Sequence, residues 1–318
     1  MSPSYSVAAN RDADRSPHST TSGSTDTGMT SEHPDWALEK SLHGILPDIV
    51  IVSSDAVHFY VYSLVLLSAS HSEFGGLLTG VQLALDSPGG QFERWDRSGL
   101  PMFLVQEIGS VFNIVLHTVH GTIEVVRPLL AALSLPNLTS VVAAINKYGI
   151  PLERSVAPSS PLYDALASHC PTTPLAVFIL GASFSPASHE IAKYASQFLL
   201  SFDLSIVTDE VAILIGAVHM KRLYALQSNR KSAFKQLIVS PPSMHSPTPA
   251  CDATELAQVW GLGTALLSWI ASADVNNAAI EGVLHSLHGK LGCNKCRSAL
   301  RRRGHQLVTD WASVEVCR

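Results

Sequence analysis

Charge is scarce in this sequence. Asp, Glu, Lys and Arg make up 15% of its 318 residues, against 46% hydrophobic residues. Proteins usually carry about 25% charged residues. The chain therefore buries a sizeable core and still exposes uncharged surface, the kind that tends to bind other surfaces. A basic excess is missing too. The net charge is −5 and the pI near 6.3, which argues against nucleic acid as the main partner, because phosphates need a cationic face. The five cysteines are odd in number and widely scattered, which excludes a disulfide framework of the small secreted kind. Apolar runs such as residues 175–180 and 211–218 fall far short of the roughly 20 residues that cross a bilayer. Residues 1–11 lack the apolar core of a secretory signal, so a cytoplasmic or nuclear location is expected.

Catalytic signatures are missing as well. There is no His-Glu-x-x-His, P-loop or nucleophile elbow. Gly181-Ala182-Ser183-Phe184-Ser185 lacks the closing glycine of Gly-x-Ser-x-Gly, and Gly261-Leu262-Gly263 lacks the third glycine of a dinucleotide loop. Both are short enough to arise by chance. An enzyme is not the expected class.

What is present begins late. Residues 1–34 are rich in Ser, Thr, Pro, Asp and Gly, and no Leu, Ile or Phe precedes Leu38. Such a segment buries too little apolar area to offset its ordering entropy, so residues 1–35 are expected to be an unstructured tail. A β-branched run at 48–54, a turn at Asp55-Ala56 and an alternating run at 57–62 read as an antiparallel hairpin, with Val57, Phe59 and Val61 on one face. Residues 64–74 have helical period and stop at Gly75-Gly76, and 101–105 read as a short strand. A helix is expected over 112–119. Another over 136–149 carries Leu138, Val141, Val142, Ile145 and Tyr148 on one stripe, with Gly149 as its cap.

Beyond that the pattern is helical. Ser160-Pro161, Thr173-Pro174 and Ser185-Pro186 read as helix starts, Thr208 as a cap, and 241–249 as a Pro/Ser-rich break. Helices are expected near 255–271, 275–288 and 296–314, the last one basic, with Trp260, Trp269 and Trp311 as core anchors. Arg297, Arg301, Arg302 and Arg303 read as a solvated cationic face.

These residues resemble a known family. Asp48-Ile49-Val50-Ile51-x-Ser53-Ser54-Asp55-x-Val57-x-Phe59 is similar to the opening of fungal BTB/POZ domains. Leu66-Leu67-Ser68-Ala69-Ser70 with Phe74 resembles the helix that follows. Leu116–His120 with Gly121, and the helix ending in Tyr148-Gly149, match later segments of that domain. Downstream, Pro174-Leu175-Ala176-Val177-Phe178, Lys221-Arg222-Leu223, Pro241-Pro242-x-x-His245-x-x-Thr248-x-x-Cys251 and Cys293-x-x-Cys296 resemble a helical extension in BTB-domain proteins of mushroom-forming fungi. The resemblance implies an α+β BTB/POZ-like N-terminal domain (residues 36–155) followed by an all-α helical C-terminal region (156–318). Many BTB domains end the second strand with His and a base. Here Tyr62 and Ser63 stand in those places, which leaves Asp48 without a charge partner and argues against a corepressor-type groove, though not against dimerisation.

One residue set is suited to chemistry. Cys293-x-x-Cys296 is a knuckle that can present two thiolates to one Zn²⁺, and Cys251 with His245 would complete a closed Cys₃His site. Such a site would be structural. The alternatives are that Cys251 is a small buried hydrophobe, the Cys pair one helical turn and His245 a surface residue, or that Cys293 and Cys296 form a redox pair. His285 and His288 compete as ligands.

The expected function is a protein–protein interaction module. A homodimer through residues 46–150 and a cullin-type ubiquitin-ligase adaptor are its narrower forms, and a transcriptional regulator is a competing class. The partner protein is not named by the sequence.

Overall fold

The computed structural model describes residues 31–40, 45–81, 94–184 and 186–316. The hairpin forms where β-branched residues cluster. Ile49–Val52 (β2) and Val57–Val61 (β3) pair antiparallel, with Ile51 opposite Phe59. Between them Ser53 Oγ accepts the Val57 N–H at 3.1 Å and donates to Asp55 at 2.5 Å. Asp55 also accepts the Gly109 N–H at 2.8 Å, tying the turn to the start of a later helix. These bonds, the Ser53 hydroxyl first, hold the Asp55 carboxyl below its usual range. Two short strands complete the sheet: Ser31–Glu32 (β1) runs parallel to β3, and Met102–Leu104 (β4) parallel to β2. The order is β1-β3-β2-β4.

Asp48 is not left without a partner. Its carboxylate accepts the Ser63 N–H at 2.7 Å and the Ser63 hydroxyl at 2.5 Å. Ser63 opens helix Ser63–Ala69 (α1). Ser63 thus satisfies the acid by hydrogen bonding in the absence of a neighbouring base, and Tyr62 sends its hydroxyl to the Lys40 carbonyl at 2.8 Å.

Helix α1 ends five residues before the expected stop. Ser70 Oγ accepts from the Ser72 and Phe74 N–H groups and donates to the Tyr148 carbonyl at 2.6 Å. That local competition converts 71–80 into turns. Helices Gly109–Val119 (α2), Ile123–Ala131 (α3) and Leu135–Lys147 (α4) follow. Tyr148 is buried, stacked on Phe74 at 4.4 Å, with its hydroxyl donating to Glu107. Gly149 sits at φ +66, and an added Cβ would lie 2.0 Å from Ser72 Oγ. Only glycine fits there.

The C-terminal part is entirely helical among the described residues: Leu152–Ser155 (α5), Pro161–His169 (α6), Pro174–Ser183 (α7), His189–Ser196 (α8), Asp209–Ile215 (α9), Ala217–Val239 (α10), Thr254–Trp269 (α11), Asn277–His288 (α12) and Asn294–Ala312 (α13), with short 3₁₀ turns between. Ser160 and Thr208 cap their helices as expected, accepting from Tyr163 and Val211 N–H. Thr173 is also the N-cap residue of its helix, with Pro174 first in it, but its hydroxyl turns back to the His169 carbonyl instead of accepting a helix N–H. Helix α8 opens at His189, after Ser188, and Ser185 lies outside the described residues. Gly181 serves packing, because an added Cβ would lie 2.8 Å from Ala192, and Ser183 donates to the Ile179 carbonyl within the same helix.

Two hydrophobic cores result. The first runs from Trp36 through the sheet and helices to Leu223, and the second from Phe234 to Trp311. Helix α10 contributes to both, so the division between cores falls inside that helix. Residues 31–35, expected as the end of the tail, are ordered instead: Ser31 and Glu32 pair with β3, and Trp36 is buried with its indole N–H on Asn113 at 2.7 Å. Residues 1–30 lie outside the described residues.

Candidate metal centre

The second core brings one Pro-rich segment against the start of α13. Arg303, expected on a solvated face, turns inward from α13 and donates to the Leu237 and Ser240 carbonyls at 2.6 and 3.0 Å. It thereby fixes where the Pro-rich segment leaves α10. Arg297 likewise donates to the Leu291 carbonyl at 2.7 Å. At the other side, Glu255 accepts the Gly292 N–H at 3.3 Å, fastening the loop before Cys293 to the first turn of α11. Thr248 and Cys251 exchange two backbone hydrogen bonds, 2.8 and 3.1 Å, so a tight turn aims the Cys251 thiol.

Between these anchors His245, Cys251, Cys293 and Cys296 converge, with all four donor atoms within 4.8 Å of one another. His245 Nε2 lies 3.2 Å from Cys296 Sγ and 3.6 Å from Cys293 Sγ, and Cys251 Sγ lies 3.6 Å from Cys296 Sγ. A zinc ion with Zn–S near 2.3 Å and Zn–N near 2.0–2.1 Å makes a tetrahedron whose edges are about 3.8 Å between sulfurs and about 3.6 Å from nitrogen to sulfur. The donor set matches that figure in type, and the 3.6 Å separations of His245 from Cys293 and of Cys251 from Cys296 are close to its edges.

Its surroundings fit as well. His245 Nδ1 faces the Ser246 carbonyl at 2.7 Å. Donation there places the free lone pair on Nε2, the atom aimed at the thiols. The Ala253 N–H points at Cys251 Sγ at 3.4 Å. Cys293 is the N-cap of α13; the Cys296 N–H, then the Lys295 N–H and the two neighbouring thiols, bring its thiol down to about 7. Cys296 is fully buried, and burial, followed by the nearby Cys251 and Cys293, pushes it up to about 12. One thiol is therefore poised as thiolate, while the deepest resists losing its proton beside the others. A divalent cation among them removes that conflict, since a coordinated thiol is deprotonated outright.

The sequence-derived set is the one the fold assembles. His285 and His288 are not part of it; they line a separate cleft of about 290 Å³ with Arg301 and His305. The pair reading of Cys293 and Cys296 also changes: among the described residues they sit with two more donors on a helix start, away from any strand. Cys170 is buried in the first core, and Cys317 lies outside the described residues.

Sequence reasoning missed two things. The supporting groups of the cluster are backbone atoms and inward arginines, which have no residue-type signature. Trp269, expected in the core with Trp260 and Trp311, is 90% exposed, while the other two are buried. No helix among the described residues is long and apolar enough to cross a membrane. No protein-family model matches the chain, and neither a curated protein nor a solved structure matches it.

Proposed function

We propose that the chain is a non-enzymatic protein–protein interaction module, BTB/POZ-like in its first core, whose distal helical half is held by one structural Zn²⁺ on His245, Cys251, Cys293 and Cys296. The observation that carries this reading is the closed donor set. Four protein donors of the Cys₃His type are the number that closes a tetrahedral zinc without a water or substrate position, which would make the site structural and not catalytic. The metal would join three separate stretches: the Pro-rich segment, the turn before α11 and the start of α13. In the first core, Leu64, Leu104 and Ile123 are more than half exposed, which supplies apolar surface for a partner or a second copy.

Elemental analysis of the full chain purified under reducing conditions tests the metal. One zinc per chain is expected, falling to well under half in Cys293→Ser and Cys296→Ser. Metal-free protein with an unchanged melting curve would sink the structural role. For the interaction surface, Leu64→Glu should weaken self-association in sedimentation velocity; an unchanged profile removes that face from the reading.

A further inference from the structure

Charge is unevenly distributed along the chain. Residues 217–318 carry 12 Lys and Arg against 6 Asp and Glu, whereas residues 1–216 carry 9 against 20. The cationic excess gathers on and just before α13. No Asp or Glu occurs from 282 to 309, a stretch that holds Lys290, Lys295, Arg297, Arg301, Arg302 and Arg303. Arg297 and Arg303 are turned to carbonyls. The side chains of Lys290, Lys295, Arg301 and Arg302 stay exposed, without a hydrogen-bond or ion-pair partner among the described residues. At about 100° per residue, Lys295, Ser298, Arg301, Arg302 and His305 fall within about a third of the circumference of α13, so the unpaired cations form one ridge. Asp310, the next acid, is turned to Arg303 and Gln306. A cleft with apolar walls lies on each side of the ridge. One, of about 290 Å³, sets Leu284 and Leu300 beside Arg301. His288 lines it as well, and its Nε2 is buried without a hydrogen-bond partner among the described residues. The other, of about 350 Å³, sets Met244 and Ala299 beside Lys295 and Arg302, with no carboxylate in its lining.

We propose that this ridge binds a short acidic segment of a partner protein, with carboxylates on Lys295, Arg301 and Arg302 and bulky apolar side chains in the two flanking clefts. Charge complementarity selects an anion, because the four cations have nothing of opposite sign on their own chain to meet. Guanidinium groups suit carboxylates in particular, through paired N–H donors. Three features favour a peptide over a nucleic acid. No Phe, Tyr or Trp lies on the ridge or lines either cleft, so a single strand finds no stacking platform of the usual kind. A duplex backbone would engage the cations but leave Leu284, Leu300 and Met244 uncovered. A long polyanion is also opposed by the net −11 of residues 1–216, whereas a short segment feels mainly the charges within a Debye length of about 8 Å. The proposal rests on the interaction reading of the chain and gives it a partner chemistry. It draws on neither the zinc nor the exposed apolar residues of the first core.

Fluorescence anisotropy with the full chain, zinc held saturating, reads the contact. The probe is a labelled twelve-residue peptide repeating Glu-Glu-Leu, set against a twelve-residue poly-glutamate and a twenty-base-pair DNA duplex. The Glu-Glu-Leu peptide should bind several-fold more tightly than poly-glutamate, because only it fills the clefts, and more tightly than the duplex. Arg301→Glu and Arg302→Glu should each weaken its binding about tenfold, and the milder Arg302→Gln by less. Lys221→Glu, exposed at the start of α10 and away from the ridge, should leave binding unchanged. All these positions are exposed, and a melting curve for each variant checks that it folds. The proposal is overturned by absence of peptide binding, by an equal loss in Lys221→Glu, or by equal affinity for the two peptides. Tighter binding of the duplex overturns it too, and would make the ridge a phosphate-binding surface. Self-association of the same sample and its response to Leu64→Glu test the broader interaction reading separately, so a chain that self-associates but binds no peptide overturns the ridge alone.

Discussion

Arg230 is the perturbation whose cost the structure specifies best. It lies midway along α10, 5% exposed, where its Nε donates to the Ala273 carbonyl at 2.8 Å. Its Nη1 donates to the Val314 and Glu315 carbonyls at 2.7 and 2.9 Å. The guanidinium lies 4.3 Å from the centre of the Trp311 ring, and the Trp311 indole donates to the Val275 carbonyl at 2.7 Å. One side chain thus joins α10, the loop before α12 and the end of the described chain. Hydrogen bonds from a charged donor contribute about 1.5–3 kcal/mol each, so three would suggest more than 4. Two offsets lower that sum. The Val314 and Glu315 carbonyls lie at an accessible end and rehydrate, and removing a buried cation removes its desolvation cost. Arg230→Met keeps the packing on Trp311, and a loss of about 3–4 kcal/mol is expected. Against a total stability of about 5–15 kcal/mol this is a large share. Urea unfolding of the full chain, with zinc held saturating because a bound ligand adds its own stability, measures it. Two cores imply two transitions, and the loss belongs to the one reported by Trp260 and Trp311. Arg230→Lys, which reaches fewer carbonyls, should fall between. A loss below about 1 kcal/mol, or one confined to the first core's transition, would refute the account of how the distal half is held.

Two further outcomes test the first core. Ser63→Ala removes the hydroxyl that bonds Asp48 at 2.5 Å and keeps the backbone donor; a loss of about 1–2 kcal/mol is expected in the first transition, and a neutral result would show that the Ser63–Asp48 bond does not replace an ion pair. Glu107 is partly buried and accepts from both the exposed Lys147 ammonium and the buried Tyr148 hydroxyl. Burial raises its carboxyl, but the hydrogen bonds from Lys147 and Tyr148 win and hold it below its usual value. A depressed folded value means stability that is present above the unfolded value of about 4.3 and lost as pH falls through the folded one. Melting temperatures between pH 6 and pH 3 should therefore drop more steeply for the unsubstituted chain than for Glu107→Gln; parallel curves would remove the cluster as an acid-labile element.

How far the residues announced this arrangement depends on the range of the interaction. The hairpin was legible because alternation and β-branching act on neighbours, and the turn chemistry of Ser53 and Asp55 is local. The Ser160 and Thr208 caps were legible for the same reason. Helix α1 was overextended because Ser70 is held by Tyr148, 78 residues away. Ser31 and Glu32 are polar and exposed, so nothing in their composition reveals that β3 offers them an edge.

The four ligand types were nameable from spacing, since Cys-x-x-Cys on a helix start places two thiols on one side by geometry alone. Their meeting with His245 and Cys251 depends on contacts across about 40–50 residues, set by Arg303 on Ser240 and Glu255 on Gly292.

By itself, then, the sequence determined the central hairpin, the helical remainder, the uncharged surface and the residue types of the candidate metal centre, all of which follow from local periodicity and composition. Tertiary structure alone decided that α10 is shared by two cores, that Arg297 and Arg303 face inward, and that Trp269 faces solvent. The physical reason is common to all three: which side of a helix is buried depends on its neighbours, and α11 carries apolar residues on both sides. Periodicity there identifies a helix but does not say which side the protein keeps for itself.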